Sequence, residues 1–91
     1  MAIFTIIKQP GPNAENLGPA IADTYPLHNY DLGGGAWLIA AVGTAKDVAD
    51  RLQISEGTNG SAVVLEAASY YGRANPAIWT WIKANWSFGG G

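Results

Sequence analysis

Nucleophilic and proton-transfer chemistry has few carriers in this chain. His28 is the sole histidine and cysteine does not occur. A serine nucleophile would therefore have to pair His28 with Ser55, Ser61, Ser69 or Ser87, and none of these stands in the strand–turn–helix setting that exposes such a nucleophile. A lone histidine ahead of a short strand reads as a surface or edge residue rather than a general base. The missing thiols exclude disulfides, thiolate catalysis and cysteine-ligated metals together. A hard divalent cation needs carboxylate oxygens. The acids nearest a strand end are Asp31 and Glu66, and their separation along the chain does not pair them. The expectation is no catalytic residue, no metal ligand set and no cofactor.

Two glycine runs carry other chemistries. Gly33, Gly34 and Gly35 stand in the run "DLGGGAWLIAAV". A phosphate cradle opens onto a helix N-terminus, but this run leads into a strand, so the glycines read as a hairpin turn. The terminal "SFGGG" resembles the glycine tails of ubiquitin-like and sulfur-carrier proteins. Those tails extend a final strand, whereas this one follows a helix, and residues 88–91 read as a flexible glycine tail.

Aromatic residues are the remaining resource. "YYGRANPAIWTWIKANW", residues 70–86, holds five of the ten aromatics of the 91-residue chain. Asn75 and Pro76 are a cap and first-position pair for a helix. At 100° per residue, Ile78, Ile82, Trp86 and Trp79 share an arc of about 100°, and Trp81 falls about 60° beyond it. Most of this stretch is therefore core. Tyr70, Tyr71, Arg73 and Trp81 are left over as a partner-binding surface, because aromatics with an interleaved arginine stack on side chains, sugars or bases.

The elements that must hold these residues fit one domain, residues 1–87. With 48% apolar and only 13% charged residues, the chain is ordered and self-adhesive. Its net charge of -2 supplies no basic field for a phosphate backbone, so nucleic acid is disfavoured and a protein partner preferred. No stretch is long and apolar enough to span a membrane, and the start lacks a basic signal region, so a cytoplasmic protein is expected.

"IFTIIK", residues 3–8, reads as a central strand. A short helix around Ala20 to Thr24 follows, then the hairpin, then "GTAKDVADRLQI" as a helix opened by Thr44 with Asp47 three residues on. Its charges read as a solvated face, with Lys46–Asp50 and Asp47–Arg51 at i,i+4 spacing. "SAVVLEAA" is the last strand. Strand, helix, strand, strand, helix, strand closes most simply as an α+β, ferredoxin-like βαββαβ sandwich with a C-terminal tryptophan-rich helix.

Such a sheet is apolar on both faces. If the helices cover the side bearing Ile3, Ile7 and Val63, then Phe4, Ile6 and Val64 point away and form an oligomer interface. A homodimer, or cover by the C-terminal helix, is the expected remedy.

The runs "AWLIAAVGTAKDVADRL", "SAVVLEAA" and "WTWIKANW" resemble the small SinR-like proteins related to the CRISPR-associated and VapD-like ferredoxin-fold proteins. The resemblance implies a βαββαβ fold, often dimeric through the sheet. It does not carry over a nuclease: an acid that helps hold metal at the end of the first strand in the CRISPR-associated relatives is replaced here by Lys8, Gln9 and Pro10. The expectation is a non-enzymatic bacterial or phage protein that self-associates and binds a protein partner. The alternatives are a degenerate metal-dependent ribonuclease and a Gly-Gly-tailed carrier.

Overall fold

The computed structural model describes residues 1–86, so the glycine tail and the end of the expected domain lie outside the described residues. The chain is α+β. It runs β1 (Ala2–Gln9), a 3-10 turn at Ala14–Asn16, α1 (Leu17–Thr24), β2 (Asn29–Gly33), β3 (Ala36–Ala41), α2 (Ala45–Arg51), β4 (Ser61–Glu66) and α3 (Pro76–Asn85). The four strands form one sheet in the order β2-β3-β1-β4, and each neighbouring pair is antiparallel.

Local chemistry accounts for the elements. Gly33 pairs with Ala36, and Gly34 and Gly35 between them have φ of 65° and 84°. Positive φ at both central residues is what a type I′ hairpin turn requires. The Thr44 hydroxyl accepts from the Asp47 amide at 3.2 Å while the Asp47 carboxylate accepts from the Thr44 amide at 2.9 Å, a reciprocal capping box that starts α2. That bond holds the Asp47 carboxyl below its ordinary range. On the exposed face Lys46 donates to Asp50 at 2.7 Å, whereas Asp47 is turned back to its own N-terminus rather than toward Arg51. Asn75 accepts from the Ala77 amide at 2.9 Å and Pro76 takes the first position of α3.

Asn13 immediately precedes the 3-10 turn. It adopts a left-handed φ of 64° and makes no cap bond; its side chain instead donates to the Gly57 carbonyl at 3.3 Å.

Alternation sends odd and even residues of β1 into two separate cores. Phe4 and Ile6 of β1, with Trp37 and Ile39 of β3, lie under Leu17 and Ile21 of α1, Val48 of α2 and Leu52 just after it. Ile3 of β1, with Leu38 and Ala40 of β3, lies under Ile82 of α3 on the opposite face. The expected oligomer interface is thereby corrected. Phe4 and Ile6 are both 0% exposed, and half-buried Val64 packs on the same cluster, so these three side chains belong to the interior of one subunit. The two faces are interchanged relative to the expectation because α1 and α2 occupy the even-numbered side of β1.

Tyr25, where α1 ends, contributes its ring to the first core, but its buried hydroxyl has no hydrogen-bond partner. An unpaired buried hydroxyl costs free energy that a matched apolar group does not. Tyr25→Phe is therefore expected to leave stability equal or raise it by up to about 1 kcal/mol in urea denaturation. Burial also pushes the Tyr25 phenol above its ordinary value of 10.0, with Arg51 opposing and Asp47 adding. Above that value the unfolded chain loses its proton first and then binds fewer protons than the native state. Stability consequently falls as pH rises from 10.0 through the folded value. The variant should lack this part of the alkaline loss, measured as the difference in midpoint between neutral and alkaline buffer.

Candidate functional site

Helix α3 is held on the sheet by an apolar arc wider than its own contact. Ile82 is its buried centre, and Ile78, Trp79, Trp81 and Trp86 pack around it. At the C-terminal end, His28 Nδ1–H donates to Asn85 Oδ1 at 2.9 Å and Asn85 Nδ2 donates to the Trp81 carbonyl at 2.9 Å. His28 thus fastens the helix to the segment before β2, an outer strand, and is half-buried there.

The two flanks of α3 differ. On one, Trp81 meets Tyr30 of β2 with ring centroids 6.2 Å apart and planes tilted by 57°. On the other, residues 67–75 return from β4 across the helix. Tyr70 there stacks on Trp79 at 6.1 Å and 24°, and meets the edge of Trp86 at 5.1 Å and 67°.

A notch of about 350 Å³ opens on this second flank, lined by Tyr70, Tyr71, Gly72, Trp79 and Lys83. Tyr71 is wholly exposed at its rim. The size lies at the lower end of the roughly 300–1,000 Å³ typical of ligand sites. Its walls are aromatic faces, and among the described residues its charged lining group is Lys83, a cation on a long flexible stem.

Of the residues expected to bind a partner, the structure brings Tyr70 and Tyr71 together at this notch. Arg73 lies in the same returning segment, exposed, but outside the lining. Trp81 is separated from the notch, since about 160° of helix rotation divides it from Trp79; its ring belongs to the Tyr30 flank. Trp79 and Lys83 replace it. Their i,i+4 spacing, about 40° apart at the edge of the apolar arc, was the signal that marks them as neighbours.

The acids do not converge. Asp31 is on β2 and Glu66 on β4, the two outer strands of the sheet. Three strand spacings of about 4.8 Å separate them, far beyond the roughly 2.5 Å at which carboxylate oxygens hold a cation. Asp31 is used locally instead, accepting from the Gly33 amide at 2.7 Å where β2 bulges. No cluster of three or more His, Cys, Asp or Glu occurs among the described residues, and no helix among them is long and apolar enough to cross a membrane.

The arrangement offers stacking surface and a movable positive charge. Compared with known proteins, the chain matches no family model, no curated protein and no solved structure.

Proposed function

We propose that this chain is a protein-binding module on a ferredoxin-like frame, whose notch beside α3 takes an extended segment of another protein. The frame reading is supported by the order of elements. β1 and β2 run parallel with β3 between them, and β3 and β4 run parallel with β1 between them, so both helical crossovers skip one strand, as in a split βαβ arrangement. A C-terminal helix on the second face is the addition to that frame.

The observation that carries the binding reading is Tyr71, wholly exposed beside the stacked Tyr70 and Trp79. A tyrosine held in water next to two ordered rings contributes nothing to the core. It offers contact area with few rotatable bonds to immobilise. Rings set side by side suit the alternating ridges of an extended or polyproline-type peptide. Lys83 within the lining, with Arg73 nearby, favours a segment carrying acidic residues.

Selection of a displayed random-peptide library against the full chain tests this. Selected peptides should be rich in proline or aromatic residues beside acids. Tyr71→Ala should weaken the best of them by about tenfold or more while leaving the melting temperature unchanged. A selected peptide bound equally well by Tyr71→Ala and by Lys83→Glu would overturn the reading.

A further inference from the structure

The sheet has two outer strands, and only one is guarded. β2 is short and carries a bulge between Asp31 and Gly33, which interrupts its pairing. β4 keeps an unbroken register along β1 and contains neither proline nor lysine. Proteins ordinarily blunt such edges, because a straight strand with free main-chain groups is a template for another strand.

Which groups are free follows from the ladder. The Ala67 amide donates to the Ile3 carbonyl at 2.8 Å. Main-chain groups alternate along an antiparallel strand, so Leu65 and Val63 also turn theirs toward β1. Ala62, Val64 and Glu66 consequently direct both N–H and C=O away from the sheet. On the α3 side of the same strand, Val63 and Leu65 are 43% and 52% exposed, beside Ile7 at 37%. Helix α3 packs mainly on β1 and β2, and these three side chains stay partly exposed on the other half of the face.

We propose that a second copy of this chain docks here, its β4 lying antiparallel against this β4 about a two-fold axis at Val64. In that register Val64 faces the second copy's Val64, and Ala62 faces the second copy's Glu66, each pair exchanging two main-chain hydrogen bonds. Val63 then lies beside the second copy's Leu65. Because Val63 pairs with Ile7 and Leu65 with Thr5, an unbroken row runs across both subunits on the bare face.

Charge selects the second copy over an unrelated strand. On the opposite face Lys8 pairs with Ala62, and beyond Ala62 stands the second copy's Glu66. Lys8 and that glutamate are two strand spacings apart, about 10 Å between Cα atoms, with only a methyl group between them. A lysine and a glutamate together span that distance once the Lys8 side chain turns from its place beside Gly35 toward β4, and symmetry makes the pair twice. Sliding the strands two residues one way sets Glu66 beside the second copy's Val64 and Ala62 beside its Ala68, so Lys8 loses the glutamate. Sliding them two residues the other way puts Leu65 beside the second copy's Ser61 and Ala62 beside its Val64, which breaks the row and again removes the glutamate. The apolar row and the charges agree on one register.

Sedimentation velocity across the micromolar range tests the proposal, with circular dichroism confirming that each variant is folded. The wild-type chain should sediment as a dimer. Leu65→Lys, at an exposed site, and Glu66→Lys, which sets like charges against each other across Ala62, should each weaken the dimer by about tenfold or more. Lys8→Glu combined with Glu66→Lys should restore it to within about threefold of wild type, because the same pair re-forms with signs exchanged. A monomeric wild-type chain, or a dimer indifferent to Leu65→Lys, would overturn the interface. Failure of the double exchange to restore a dimer weakened by Glu66→Lys would overturn the register. Neither outcome bears on the notch, whose test uses Tyr71 and Lys83.

Discussion

Phe4→Ala is expected to cost about 3–5 kcal/mol, in a domain whose whole stability is of the order of 5–15 kcal/mol. The ring is 0% exposed between the sheet and the two crossover helices. Its strand partner on β3 is Ile39, also 0% exposed. Truncation removes the transfer free energy of the ring and leaves a space that rigid neighbours on three elements cannot fill by small shifts. Urea denaturation at two protein concentrations measures the loss and also locates the residue. A side chain inside one subunit gives the same difference from wild type at both concentrations. A side chain between subunits gives a difference that shrinks as mass action restores the complex. A loss below about 1 kcal/mol, or one that depends on concentration, would be incompatible with Phe4 lying beneath α1 and α2.

Gly60→Ala is expected to cost about 2–4 kcal/mol, from two sources that a second glycine separates. Gly60 is buried just before β4 with φ of 90°. A Cβ built there would stand 2.9 Å from the Asn13 carbonyl oxygen and 3.1 Å from Ala14 Cα, both main-chain atoms. Main chain cannot swing aside as a side chain does, and this stretch is anchored. Asn13 donates to the Gly57 carbonyl and Asn16 to the Thr58 carbonyl at 3.4 Å, so the start of α1 is stitched to the loop after α2. Making room for a methyl group would pull those ties apart. Gly34, at φ of 65° in the hairpin turn, has nothing within 4 Å of the same added atom. Gly34→Ala should therefore pay only the conformational penalty, about 1–2 kcal/mol. Equal losses for the two variants in thermal or urea unfolding would show that the close approach at Gly60 contributes nothing.

These two residues mark where reading the chain reaches its limit. Much of what neighbours in sequence set was legible: the Thr44–Asp47 box, the Asn75–Pro76 start of α3, the glycine hairpin, and the alternation of β1. Each depends on atoms within a few residues, so residue type and spacing suffice. The Asp47–Arg51 pair was not legible, because the Asp47 carboxylate is taken by the Thr44 amide. The notch was half legible. Tyr70 and Tyr71 stand out as aromatics with no place in a helical arc, but the arc itself has two edges. Trp79 marks one edge and Trp81 lies about 60° beyond the other, so helical geometry chose Trp81 as the outlier whereas the notch uses Trp79.

What the amino-acid sequence determined by itself was the list of elements, their caps and turns, and a sheet apolar on both sides. The tertiary structure alone decided which side each set of side chains serves. Ile3 and Ile7 are as apolar as Phe4 and Ile6, so alternation announces two cores without saying which helices cover which. That assignment depends on the direction of each strand in the sheet and the hand of the crossovers, which place α1 and α2 on the even-numbered side of β1. The path of residues 67–75 likewise placed Tyr70 against Trp79 rather than Trp81, and the strand order left β4 at an open edge. The first and last are relations between segments far apart in the chain, and the second depends on how the segment before α3 folds back on it. Local physical chemistry cannot encode them, because they exist only once the layers have closed.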